Sequence, residues 1–198
     1  MSMNKYKKSF KCTILAIITG FSISCKAQHT YPMSSNPLQL PPNSYMNDAG
    51  NELDKFVGTW HASNNGKFYI LKISKIINKK IDYLNLFQDT LLIKYTVKNN
   101  TQNSILQSTE NMQLVNASDF FSVYSYGLEN SGSKALFYYS GTHCGVGWGV
   151  IELSDISNNQ INWSYVPNST TLTDQSCPAG QDLIIYLPIT QNLVFTKQ

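Results

Sequence analysis

Not one arginine occurs among the 198 residues. The planar guanidinium fork that grips phosphates and guanine edges is therefore missing from the whole chain, which argues against a nucleic-acid partner. Net charge of either sign is also small. Of the 15 lysines, Lys5, Lys7, Lys8 and Lys11 lie ahead of every acidic residue, and removing that leader before Cys25 leaves 11 lysines against 12 Asp and Glu. Metal and nucleophile motifs are equally scarce. There is no HExxH, no CxxC and no GxSxG; His29, His61 and His143 are scattered, and the acidic residues form no evident acid/base pair. No metal, no cofactor and no catalytic residue is expected from these patterns.

A long apolar run is missing too. The stretch from Cys12 to about Ser24 is shorter than the roughly 20 residues needed to span a bilayer, and it follows clustered lysines. Residues 1–24 therefore read as a secretory signal peptide, extending to 27 if the later of two cuts is used. In "SISC", Cys25 resembles the lipidated cysteine of a lipobox, although Ser22 stands where that pattern prefers Leu, Val or Ile. The other cut follows Ala27 and frees Gln28 to cyclise. Both remain open, so the expected location is either an envelope lipoprotein, touching the membrane only through its lipid, or a soluble secreted protein. Residues 25–46, rich in Pro, Ser and Asn, read as a linker arm. Residues 47–198 have the length of one domain with a real core.

Within that domain the signals are those of strands. "VGTWHAS", "KFYILKISKI", "TLLIKYTVK", "DFFSVYSYGL", "KALFYYS", "WGVIELS", "QINWSYV", "LIIYL" and "NLVFTK" are short β-branched and aromatic runs separated by turn residues. In "QINWSYV", Ile161, Trp163 and Tyr165 fall on one face, with Asn162 and Ser164 on the other. "DAGNELDKF" is expected to form one helical turn capped by Asp48 or Asn51, and "KKIDYLNLFQD" is readable as a short helix or a strand. The fold expected is all-β: one antiparallel barrel-like domain or, alternatively, a β-sandwich.

Motifs that hint at ligands weaken on inspection. "DISNNQ" opens like a calcium loop but has neither Gly at the sixth place nor Glu at the twelfth, and reads as a hairpin turn. Gly141, Gly145, Gly147 and Gly149 precede a strand rather than a helix, so they fit a bulge or close backbone approach better than a phosphate loop. The basic stretch Lys67, Lys72, Lys75, Lys79 and Lys80 is interleaved with apolar residues, as solvated strand positions are.

The segment "DKFVGTW", with Gly58 and Trp60, is similar to the first-strand GxW signature of lipocalins and fatty-acid-binding proteins. That resemblance implies a barrel whose end is closed by Trp60. In lipocalins an Arg of the last strand backs the Trp; here the role falls to Lys197 or lapses. Three longer blocks, "TYP…PPNSYMNDAGNELDKFVGTW", "CGVGWGVIELSDISNNQINWSY" and "SCP…LPITQNLVFTKQ", together resemble an uncharacterised family of exported bacterial proteins. This implies export and one β-rich domain, with no activity to carry over.

The expected function is therefore that of an exported, non-enzymatic module. One reading gives it a small apolar ligand or an envelope component, with Phe68, Tyr126, Tyr138, Trp148 and Trp163 as lining. The rival is a structural or protein-interaction module with a filled core, in which the same aromatics are packing; an enzyme ranks third. Cys144 and Cys177, the thiols of the domain, are expected to pair in an oxidising compartment. A nucleophilic Cys144 activated by His143 is the competing role, and it suffers because adjacent residues on an extended chain point apart.

Overall fold

The computed structural model describes residues 28–198. The signal-peptide cuts and the lipidation of Cys25 lie outside the described residues. Eleven strands follow in order: β1 (Thr30–Pro32), β2 (Tyr45–Asn47), β3 (Gly58–Asn64), β4 (Lys67–Ile81), β5 (Leu86–Asn99), β6 (Ile105–Ser108), β7 (Val123–Glu129), β8 (Lys134–Tyr139), β9 (Gly149–Ser157), β10 (Gln160–Tyr165) and β11 (Thr190–Lys197). Among the described residues helix is confined to 3-10 turns, one of them at Asp54–Phe56. Within the described residues no helix is long and apolar enough to cross a membrane.

Eight strands close into an antiparallel barrel, in the order β5-β4-β3-β11-β10-β9-β8-β7, with β7 returning to β5 through Leu92 and Tyr124. The connections are local. Asn65 and Gly66, both at positive φ, make the tight turn between β3 and β4, a geometry matched to the twist of paired strands. Eight of the nine runs read as strands are these eight. The ninth, "LIIYL", forms no strand: Leu187 is buried while Ile184 is exposed, and the segment crosses a barrel end, where the Trp163 indole N–H donates to the Pro188 carbonyl at 2.9 Å.

The seam between β5 and β7 has a single backbone register pair and is reinforced by side chains. The Leu91 N–H donates to Ser125 Oγ at 2.7 Å, and Thr90 Oγ1 donates to the Ser125 carbonyl at 2.6 Å. Outside it, Leu92, Leu114 and Tyr124 form a small second core beneath the segment joining β6 to β7.

The segment expected to be a linker arm is part of the fold, at least from Gln28 onward. β1 and β2 pair in parallel, and β2 adds to the free end of β5 through Tyr45–Phe87 and Met46–Gln88. Met33 and Met46 supply the reason, since both are buried against the core. The domain boundary expected at residue 47 thus falls inside a strand.

Candidate functional site

An eight-stranded barrel has an interior just wide enough for side chains to fill or for one small ligand. Here it is filled. Trp60, Trp163, Tyr95, Tyr139, Tyr165, Phe137 and Phe195 all point inward and are at most 1 % exposed. Tyr139 packs edge-on against Tyr165 at 5.9 Å, and Trp163 lies 5.8 Å from Phe195. Tyr95 donates its hydroxyl to Gln107 Oε1 at 2.9 Å, and Tyr165 donates to the Gly147 carbonyl. Tyr139 Oη has no partner of good geometry among the described residues; the Tyr95 hydroxyl beside it donates to Gln107 and keeps its lone pairs to accept. Burial above all pushes these three phenols well above the ordinary tyrosine range.

The five residues expected to line a ligand cavity do not share one. Trp163 is in the core, whereas Tyr126, Tyr138 and Trp148 are 43 %, 39 % and 39 % exposed on the outside. Phe68 is partly buried and packs against His61 with ring centroids 5.2 Å apart. Strand parity is the cause: Ala135, Phe137 and Tyr139 of β8 take the inner face, which turns Tyr138 outward.

At the end of the barrel where β3 meets β11, Gly58, Trp60 and Lys197 come together. The Trp60 indole N–H donates to the Phe56 carbonyl at 2.8 Å, and the Lys197 ammonium sits over the ring, 5.0 Å from its centroid. Gly58 has φ +140°, and a Cβ there would lie 2.6 Å from Lys197 Cε. The positive φ is what favours glycine; the flexible end of Lys197 would have to shift to admit a Cβ.

Sequence reasoning missed a buried ionic latch that docks the N-terminal segment. Asp89 accepts from the Tyr45 hydroxyl at 2.5 Å and from the Asp48 and Asn78 N–H groups, each at 2.9 Å. Asp48 in turn accepts from the Glu52 and Leu53 N–H groups and pairs with Lys75 at 2.7 Å. Lys75 also reaches Asp54 at 2.8 Å. Burial, then the bond to Asp89, pushes Tyr45 up to about 12. The one signal available was Asp48 as a candidate cap; the helical turn, Asp54–Phe56, instead has Leu53 at its N-cap with no side-chain bond, and Asp48 holds the Glu52 and Leu53 N–H groups just ahead of it.

Cys144 and Cys177 form a disulfide with Cα atoms 5.4 Å apart, so the paired reading holds and the thiol is not free to act as a nucleophile. His143 packs edge-on against Phe121 at 4.9 Å. Gly141 explains the glycine cluster beside it, since a Cβ there would lie 2.5 Å from the Gly145 carbonyl carbon. The basic stretch forms no open cationic groove. Lys72 pairs with Glu110, Lys75 with Asp48 and Asp54, and Lys80 with Asp82, while Lys79 donates to the Val115 carbonyl.

These features define a closed, aromatic-filled, eight-stranded β-barrel carrying the Cys144–Cys177 disulfide. A family model covers residues 7–198, and the chain belongs to that family, the family of unknown function DUF6705. No curated protein and no solved structure matches it.

Proposed function

We propose that this protein is an exported, non-enzymatic module whose barrel is structural and whose outer surface makes its contacts. The observation that carries this reading is the interior itself, in which Trp60, Trp163 and the three buried tyrosines occupy the volume a ligand would need. It is the filled-core alternative of the two readings drawn from the sequence. A disulfide in a small domain favours an oxidising compartment, in keeping with the basic, apolar leader.

The test of the interior is titration of the folded protein with a lipophilic fluorophore such as cis-parinaric acid. No stoichiometric binding is expected; one bound equivalent that quenches tryptophan emission would return the ligand to the barrel. Export is tested by mass spectrometry of the mature chain from its native host. A lipidated Cys25, or a chain beginning at cyclised Gln28, supports it, and an intact leader in the cytoplasm refutes it.

A further inference from the structure

Three aromatic side chains face solvent on neighbouring strands: Tyr126 on β7, Tyr138 on β8 and Trp148 immediately before β9. Tyr138 is paired across the strands with Val150, and its ring lies 6.4 Å from that of Trp148 at a tilt of 44°. Trp148 is held in place from the other side. Its indole N–H donates to the Ser169 carbonyl at 3.3 Å, and its own carbonyl accepts from the Asn168 N–H at 2.8 Å. The Trp148 ring is therefore fixed from the loop side, with Tyr138 packed beside it.

Val150 also lines a groove of about 440 Å³ that runs on toward β11, together with Glu152, Ser164, Val166, Gln191 and Asn192. A β-bulge shapes it. Trp163 pairs with Leu193 and Tyr165 with Thr190, so Gln191 and Asn192 together oppose Ser164 alone, with Asn192 at φ 63°. Bulges of this kind re-aim side chains out of the regular alternation. Asn192 is fixed by the Asn162 amide, which donates to its Oδ1 at 2.9 Å, and its own backbone N–H donates to Ser164 Oγ at 3.3 Å.

The electrostatics of this face select the ligand. Glu152 is the one ionised residue lining the groove, and the Lys134 ammonium neutralises it at 2.9 Å. An anionic lipid or nucleic acid would find no unpaired cation among the lining residues. An apolar peptide would leave the Gln191 amide and the Ser164 O–H and Asn192 side-chain N–H donors unmatched, at a desolvation cost. A sugar matches both halves of the surface: its C–H face stacks on tyrosine and tryptophan rings, and its hydroxyls exchange hydrogen bonds with amides and hydroxyls. From Tyr138 on β8 to the bulge of β11 the curved wall crosses three strand spacings, roughly 14 Å at the usual separation, which suits a chain of sugars rather than one.

We propose that the outer surface of β8–β10, with the bulged end of β11, binds a neutral oligosaccharide. The proposal rests on the surface-acting reading above and names the ligand class for it.

The experiment is affinity electrophoresis of the oxidised mature protein through gels carrying β-1,4-glucan, β-1,3-glucan, xylan, mannan or chitooligosaccharides, followed by tryptophan-fluorescence titration with whatever retards it. Retardation by at least one of these is expected. Trp148→Ala and Tyr138→Ala should each weaken binding about tenfold, a loss of about 1.4 kcal/mol, with the barrel still folded and melting cooperatively because both rings are outside the core. Asn192→Gly should weaken binding while keeping the bulge, since glycine accepts its positive φ. No retardation by any of these glycans overturns the proposal, as does retardation undiminished in the Trp148 and Tyr138 variants. Self-association in sedimentation that Tyr138→Ser abolishes also overturns it, by making this face the seat of a second copy. The two readings fail separately: uptake of the fluorophore into the barrel sinks the surface-acting reading, whereas an empty result in both assays sinks the sugar alone.

Discussion

Replacing Trp60 with alanine tests whether the barrel end is closed by one side chain. The indole is completely buried, its N–H satisfies the Phe56 carbonyl, and its ring is the platform for Lys197. Truncating a buried Trp costs about 3–5 kcal/mol through lost transfer energy and the cavity left behind. An unpaired buried carbonyl adds about 1 kcal/mol or more. A total near 5 kcal/mol is the lower end of the whole stability of a typical domain, so the variant should be at the edge of folding at 25 °C. Urea unfolding followed by far-ultraviolet circular dichroism measures it, with an unchanged m-value certifying the same transition. Trp60→Phe keeps most of the bulk and loses the N–H, and should cost about 1–2 kcal/mol. Lys197→Ala should cost about 1 kcal/mol, the worth of a partly shielded cation–π contact. Gly58→Ala should cost about 1–3 kcal/mol from its positive φ, and the part due to its contact with Lys197 should vanish in the double variant, giving a coupling above about 0.5 kcal/mol. A Trp60→Ala loss below 1 kcal/mol would refute the argument, because no repacking of a filled barrel could absorb an indole so cheaply.

The unpartnered Tyr139 hydroxyl predicts that Tyr139→Phe is neutral or stabilising by about 1 kcal/mol; a loss of that size in thermal melts would reveal a hidden bond. Reducing the Cys144–Cys177 bond, or replacing both residues with serine, should destabilise by roughly 3–4 kcal/mol, given the 33-residue separation. Equal melting temperatures with and without reductant would contradict this. For Asp48, burial works against the charge, but the Lys75 ammonium and the Leu53 and Glu52 N–H groups outweigh it and hold the carboxyl below its ordinary range. A lowered folded value means stability that is complete above about pH 4 and is lost as pH falls through the folded value. Asp48→Asn should therefore be less stable than the parent at neutral pH and flatter in acid, and parallel pH–stability curves would count against the latch.

Strand positions were legible wherever large apolar residues alternate with polar ones, as in β10, because that period admits only one register against a core. The end-crossing segment "LIIYL" misled because it is apolar without alternation, and such a run fits a barrel plug as well as a strand. The latch was illegible for another reason: Asp48, Lys75 and Asp89 are far apart in the chain, and it takes the bulge between Ile76 and Lys79 to bring the Asn78 N–H to Asp89. The lining residues failed on parity. "KALFYY" is apolar on both faces, so nothing local says whether Phe137 or Tyr138 faces inward, and Tyr126 sits at a register shift in β7 that resets the count. That ambiguity carries its own information. Once Ala135, Phe137 and Tyr139 fill the inner face, an outward Tyr138 adds nothing to closing the barrel, and Tyr138→Ser should leave the melt unmoved. On the sugar-binding proposal, a ring that folding does not require, held beside a fixed Trp148 and a bulge-made groove, serves recognition rather than stability.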